Sequence, residues 1–153
     1  MKRTLATAAL ALALSSGVML AASSAQAQSA ERVYDNGTVW TISQIETKPG
    51  MFDDYMKYLS TTWRQIQEAG KKAGYVLSYK VLTVDSPRDH EPDVILMVEF
   101  KNMAAFDRTL AEQDAVTSAA FGSTVKANQS SVSRESLRVL RGSETARELI
   151  FTK

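Results

Sequence analysis

The chain has 153 residues, with 18 Lys and Arg against 17 Asp and Glu, and it contains no cysteine. This length suits one domain with a substantial core, and the near-neutral charge excludes the electrostatic footprint of a protein that binds nucleic acid or anionic membrane. The absence of cysteine excludes disulfides, thiol catalysis and thiolate metal sites.

A cleavable export signal is predicted for residues 1–27. Lys2 and Arg3 precede an apolar run, and Ala25-Gln26-Ala27 is a small-x-small site of the kind that signal peptidase accepts. We expect cleavage after Ala27, transport to the periplasm by the general secretory route, and no stable membrane anchor in the mature protein. The mature chain would keep 16 basic and 17 acidic residues, a net charge of −1.

A polar, flexible lead-in is predicted for residues 28–37, followed by one domain over residues 38–153. Its first strand is predicted from Val39 to Glu46, where β-branched and aromatic residues partly alternate with polar ones. A helix is predicted from Met51 to Lys72. Its apolar residues recur at helical spacing on one face: Phe52, Tyr55, Met56, Leu59, Trp63 and Ile66.

The second half of the chain is predicted to add two strands, two helices and a closing strand. Strand two covers Tyr75–Val84, and strand three covers Val94–Phe100, which is apolar almost throughout. Asn102 is a suitable cap for a second helix containing Met103, Phe106 and Leu110. A further helix is predicted for Asn128–Arg141, with Gly142 at its end, and a last strand for Arg147–Thr152.

The predicted order of elements is β-α-β-β-α-(α)-β. It indicates an α+β, ferredoxin-like βαββαβ fold, with a four-stranded antiparallel sheet, helices on one face and an extra helix before the last strand. Strand three then places Val94, Leu96, Val98 and Phe100 on one face, and Ile95 and Met97 on the other. Because helices cover only one face, we expect a homodimer that buries the second face against an identical sheet.

Several short segments fall where a known superfamily has its turns and junctions. They are Val39–Glu46, Lys48-Pro49-Gly50, Asp53-Asp54-Tyr55, Ala73-Gly74-Tyr75 and Val98-Glu99-Phe100-Lys101-Asn102. On these segments the chain resembles the dimeric α/β-barrel superfamily, which includes antibiotic-biosynthesis-type monooxygenases. The resemblance implies the fold, the dimer and a ligand cavity between helix and sheet.

The oxygenase-like and haem-degrading members of that superfamily typically carry a histidine on or near the second helix. Residues Met103–Glu112 contain none, and the only histidine of the chain is His90, before strand three. We therefore expect no haem and no other permanent cofactor.

Five residues are candidates for a ligand site. Tyr55 and Trp63 lie on the helix stripe and could wall an apolar cavity, although aromatic residues there are more often core. Tyr75 and Tyr79 share a strand face, and their hydroxyls could orient a small molecule or donate a proton. His90 stands beside carboxylates and could act as a general base or a metal ligand, although a solvated loop is the more usual explanation for a single histidine in a polar loop.

Other polar groups favour no specific chemistry. The acidic loop holds Asp85, Asp89, Glu91 and Asp93 without the spacing of a calcium loop, so no metal site is predicted. Three arginines in the predicted helix 128–141 would form one exposed stripe: Arg134, Arg138 and Arg141. No nucleophile elbow, dinucleotide-binding motif or P-loop occurs, so catalytic residues stay unassigned.

Three functions remain open at this point. The first is an exported protein that binds a small, mostly apolar molecule in the cavity between helix and sheet. The second is a cofactor-independent oxygenase or isomerase that uses tyrosine or histidine in the same cavity. The third is a structural or interaction role for the predicted helix 128–141.

Overall fold

A computed structural model describes residues 32–152, and the predicted export signal and cleavage site lie outside this range. The strands are β1 (Tyr34–Thr47), β2 (Val76–Thr83), β3 (Val94–Phe100) and β4 (Arg138–Phe151). The helices are α1 (Phe52–Tyr58), α2 (Arg64–Lys72), α3 (Leu110–Phe121) and α4 (Thr124–Glu135). A π-helical segment, Leu59–Trp63, joins α1 to α2, and a 3-10 turn, Met103–Phe106, follows β3.

The four strands form one antiparallel sheet in the order β2-β3-β1-β4. β1 and β3 lie in the middle and are held in register from Val39 opposite Phe100 to Ile45 opposite Val94. Residues that face each other across antiparallel strands point to the same side of the sheet, so this register fixes which side chains share a face. The architecture is α+β and is compatible with the predicted ferredoxin-like arrangement.

Strand β3 alternates strictly between buried and partly exposed side chains. Val94, Leu96, Val98 and Phe100 are buried, while the residues between them, including Ile95 and Met97, are partly exposed. The division of β3 into two faces is therefore as the sequence predicts. The buried face forms the core together with Val39 and Ile45 of β1.

Residues 52–72 run as one helix through α1, the π-helical segment and α2, in agreement with the predicted bounds. Tyr55, Leu59 and Trp63 are buried and belong to the same core cluster as the inner face of β3. Residues i, i+4 and i+8 stay nearly aligned on a helix, so these three side chains form one ridge along the sheet. Within residues 32–152, no helix has the length and apolarity needed to cross a bilayer.

The predicted second helix starts too early. Asn102 does cap a helical turn, since its side chain accepts a hydrogen bond from the backbone N–H of Ala104, but that turn is a single 3-10 turn. The α-helix begins only at Leu110, after Thr109 and Glu112 form a reciprocal capping box. This box supplies partners for the first backbone N–H groups of α3 and fixes its start there.

The helix predicted for Asn128–Arg141 instead spans Thr124–Glu135, so its last six residues are wrong, and the last strand is longer than predicted. α4 ends at Glu135, and β4 begins at Arg138, which pairs with Thr47 of β1. Pairing with β1 overrides the local helical pattern. Gly142 does not end a helix but lies opposite Gln44 within the sheet, where a β-carbon would come within 3.4 Å of the Gln44 side chain.

Strand β1 also begins earlier than predicted, at Tyr34, inside the segment expected to be flexible. Residues 34–36 pair with residues 149–151 of β4, beyond the part of β1 that pairs with β3. β1 and β4 thus extend past the sheet as a two-stranded ribbon. Its end exposes several large apolar side chains: Val33, Tyr34, Leu149, Ile150 and Phe151.

At Gly70, helix α2 approaches strand β2 closely. A β-carbon built there would lie 2.7 Å from a methyl carbon of Val76 and 3.0 Å from the ring of Tyr75. Replacing glycine with alanine inside an exposed helix normally stabilises it, by about 0.5–1 kcal/mol. At position 70, steric overlap of the added methyl group should make the same replacement destabilising.

We therefore expect Gly70→Ala to lower the free energy of unfolding by about 1–3 kcal/mol, as measured by urea denaturation. Gln65→Ala, at an exposed position of the same helix, is the control and should change stability by less than about 0.5 kcal/mol. A Gly70→Ala protein more stable than the wild type would show that helix and strand are not in close contact.

Candidate functional site

An open groove of about 310 Å³ runs between the long helix and strand β2. The helix supplies most of its wall, and two residues of β2 supply the rest. The lining residues are Met56, Leu59, Ser60, Trp63, Arg64, Tyr79 and Val81. Five of these seven are apolar or aromatic, which is the composition typical of sites for small organic ligands, and the volume lies at the small end of their range.

Trp63 and Tyr79 form the floor of the groove. Their rings meet edge to face, with centroids 5.3 Å apart and planes at 89°. This geometry places the positive edge of one ring against the negative face of the other. Two of the five predicted site residues, Trp63 and Tyr79, are therefore brought together in one place.

Two of the polar groups in the groove are already engaged by the protein. The Tyr79 hydroxyl donates to Glu68 Oε1 at 2.7 Å, and the Ser60 hydroxyl donates to the carbonyl of Lys57 at 2.9 Å. The bond to Glu68 raises the pKa of Tyr79 above its ordinary value of 10, while nearby Arg64 partly opposes this increase. At neutral pH the Tyr79 hydroxyl is therefore protonated, and it donates its hydrogen bond to Glu68.

Tyr55 lies away from the groove, in the core. Its side chain is fully buried, and its ring stacks on that of Tyr58 at 5.9 Å. Among residues 32–152, nothing accepts a hydrogen bond from its hydroxyl. Burial raises the pKa of Tyr55 to about 12, against the opposing charges of Arg138 and Arg134.

The predicted arginine stripe is split by the change from helix to strand. Arg134 lies in α4 and donates to the Tyr58 hydroxyl at 3.1 Å, whereas Arg138 is buried in β4 and bonds Glu135 at 3.2 Å. Arg141, further along β4, pairs with Glu46. The three side chains therefore do not form one exposed surface, because only the first of them is helical.

Tyr75 lies at a second, smaller cavity of about 190 Å³ beside α3. Its ring stacks on Phe100 at 6.4 Å, and the Arg108 guanidinium lies over it at 3.8 Å. A β-bulge between Val76 and Ser78 interrupts the alternation of β2. Tyr75 and Tyr79 consequently line different cavities, although the sequence predicts that they share a face of the strand.

His90 lies in the exposed loop between β2 and β3, with a positive φ of 63°. Its Nδ1 is 3.1 Å from Arg141 Nη2 and 3.6 Å from Glu46 Oε1. Neither of these partners lines the groove. The structure therefore does not bring His90 together with Trp63 and Tyr79.

The acidic loop residues are engaged separately. Asp93 accepts hydrogen bonds from the backbone and hydroxyl of Thr47, and Glu91 pairs with Arg88. In the part of the chain that the structure describes, no three His, Asp or Glu side chains are grouped as a metal site would require.

Of the seven lining residues, the sequence interpretation named Trp63 and Tyr79 as site residues and missed five: Met56, Leu59, Ser60, Arg64 and Val81. Arg64 follows Ser60 by one helical turn, on the flank of the apolar stripe, and Val81 follows Tyr79 by two residues on the strand. The spacing of each pair indicates a shared face. The sequence does not indicate that this side of the helix meets this side of the strand.

No family model matches the chain, and no curated protein matches its sequence. Among solved structures, the chain is similar to the crystal structure of protein SO0527 from Shewanella oneidensis, with a TM-score of 0.47 and 17% identity. The match covers 76% of this chain and 96% of that one.

The buried Tyr55 hydroxyl should be visible in the alkaline stability of the protein. Its pKa is raised from 10 to about 12 in the folded state, so the folded state favours the protonated form. The contribution to stability is complete below pH 10 and is lost between pH 10 and about 12, as the unfolded chain ionises first.

We expect the free energy of unfolding to fall more steeply over this range in the wild type than in Tyr55→Phe. Ultraviolet difference spectroscopy should also show one of the five tyrosines titrating last, and that step should disappear in the variant. Equal slopes and unchanged tyrosine titration would contradict the burial of this hydroxyl.

Proposed function

We propose that this protein binds a small, mostly apolar molecule in the groove between its long helix and strand β2. The observation that supports this most is the lining itself. A cleft of about 310 Å³ is walled by Met56, Leu59, Trp63, Tyr79 and Val81. Apolar surface left open in this form costs free energy unless a ligand covers it.

The π-helical segment, Leu59–Trp63, supports the proposal because it lies at the groove. Leu59, Ser60 and Trp63 all belong to this segment and all line the groove. A π-helical turn is less favourable than an α-helical one and occurs often at functional sites. Here it widens the helix at the point where Trp63 approaches Tyr79.

We also infer a ferredoxin-like βαββαβ domain related to the dimeric α/β barrels. The strand order β2-β3-β1-β4 and the long helix between β1 and β2 support this inference. The extra helix before β4 is then α4, which buries none of its residues. We propose that the domain functions in the periplasm, after removal of residues 1–27.

The outer face of the sheet, defined here by Ile42, Ile95, Met97, Lys80 and Leu82, supports a homodimer. Ile42 and Lys80 flank Met97 across the strands, and Leu82 pairs with Ile95. Ile42, Ile95 and Met97 remain partly exposed in the single chain, and Leu82 is 43% exposed. A two-fold partner would cover the apolar residues of this face with an identical set.

The groove should bind an apolar fluorophore such as N-phenylnaphthylamine. Trp40→Phe leaves Trp63 as the sole tryptophan, so energy transfer to the probe reports binding next to Trp63. We expect saturable transfer with a Kd on the order of micromolar.

Two adjacent residues of β2 provide matched variants for this experiment. Val81 lines the groove and Leu82 lies on the outer face, and their exposures are similar, at 38% and 43%. Val81→Lys should weaken probe binding by about tenfold or more, since it places a charge in the apolar site. Leu82→Lys should leave it unchanged. Absence of saturable transfer in the parent protein would refute the proposed function.

The dimer is tested at Met97, in the middle of the outer face. Light scattering behind a sizing column should give twice the mass of one chain for the wild type, and one chain for Met97→Lys, because the new charge would lie opposite Lys80 and be buried without a partner of opposite sign. Val132→Lys, at a position of α4 that is 74% exposed, should remain dimeric. A folded wild-type monomer at micromolar concentration would rule out this interface.

A further inference from the structure

The charged side chains around the groove are more often positive than negative. Arg64 lines it directly, and Lys71 stands beside it, with its Nζ 5.7 Å from the centroid of the Tyr79 ring. Glu68 supplies one carboxylate, which accepts from Tyr79 at 2.7 Å and lies 3.8 Å from Lys71 Nζ. The rim of the groove, formed by Arg64, Glu68 and Lys71, thus carries two cations and one anion.

Arg64 is the lining residue with N–H donors left for a ligand, beyond its interaction with the Tyr79 hydroxyl, whose pKa it lowers. The hydroxyls of Ser60 and Tyr79 already donate to protein acceptors. Among residues 32–152, no carboxylate forms an ion pair with Arg64, and none of the seven lining residues is acidic. A guanidinium has five N–H donors and no acceptor, in a fork that matches a carboxylate.

We propose that the ligand of this groove is a short amphiphile whose carboxylate pairs with Arg64 while its hydrocarbon part lies along Met56, Leu59, Trp63 and Val81. This rests on the proposed function and narrows it to one chemical class. The apolar lining selects the hydrocarbon, and Arg64 selects the charge and fixes which end of the molecule faces the rim. Glu68, one turn further along the helix, forms its ion pair with Lys71 and not with Arg64.

The test uses three chains of equal length that differ in their end group: octanoate, octanol and octylamine. Each is titrated at neutral pH against N-phenylnaphthylamine bound to the wild-type protein. Octanoate should displace the probe about two- to fivefold more effectively than octanol, as expected for one ion pair at an exposed arginine, and octylamine should be the weakest. Added salt should weaken the binding of octanoate and leave the binding of octanol nearly unchanged.

Arg64→Gln should lower the affinity for octanoate to that for octanol, and it should leave the affinity for octanol unchanged. Arg64→Lys, which keeps the charge but not the fork, should retain part of the preference. Lys72→Gln is the matched control, because it removes one cation from an exposed position of the same helix, and it should keep the full preference.

Equal displacement by octanoate and octanol, or an unchanged preference in Arg64→Gln, would overturn the carboxylate assignment while leaving apolar binding in place. A loss of preference in Lys72→Gln as large as in Arg64→Gln would also overturn it, since the general charge of the helix would then be responsible. Failure of the probe itself to bind would overturn the proposed function, and this inference with it.

Discussion

The packing of one face of strand β3 against the long helix is the constraint from which the other features follow. Leu96 and Val98 are buried in one core cluster with Tyr55, Leu59 and Trp63, and forming this cluster removes its apolar surface from water. Once that face is fixed, strand alternation sends Ile95 and Met97 to the opposite side. The same contact sets the distance between helix and sheet, and it places Trp63 against Tyr79.

The groove is a consequence of how this helix meets the edge strand. At one end, Gly70 allows α2 to approach Val76 closely, with no room for a β-carbon. Further back along the helix, the π-helical segment widens the backbone, and the side chains of Met56 and Val81 border an open cleft. A tight contact at one end and a widened turn at the other give the cleft its shape. Arg64 lies between these two regions, where it can meet both the cleft and solvent.

Strong local patterns in the sequence predicted the elements that carry this arrangement. The helical stripe of residues 52–66 and the apolar run 94–100 are regular enough to fix helix, strand and face. Beyond residue 102, short-range patterns were misleading, because the start of α3 depends on the Thr109–Glu112 box and the start of β4 depends on pairing with β1. For the site, Trp63 and Tyr79 were predictable as aromatic residues on facing surfaces. Their separation from Tyr75 and His90 depends on a bulge and a loop that the sequence does not reveal.

Methyl resonances in the protein offer the most direct test that the groove is the ligand site. Selective labelling of Met, Leu and Val methyl groups gives reporters in the groove at Met56, Leu59 and Val81, and on the outer face at Met97. Addition of octanoate should shift the three groove resonances together and leave that of Met97 in place. Shifts at Met97, or at Val116 beside Tyr75, with the groove resonances unchanged, would contradict the account.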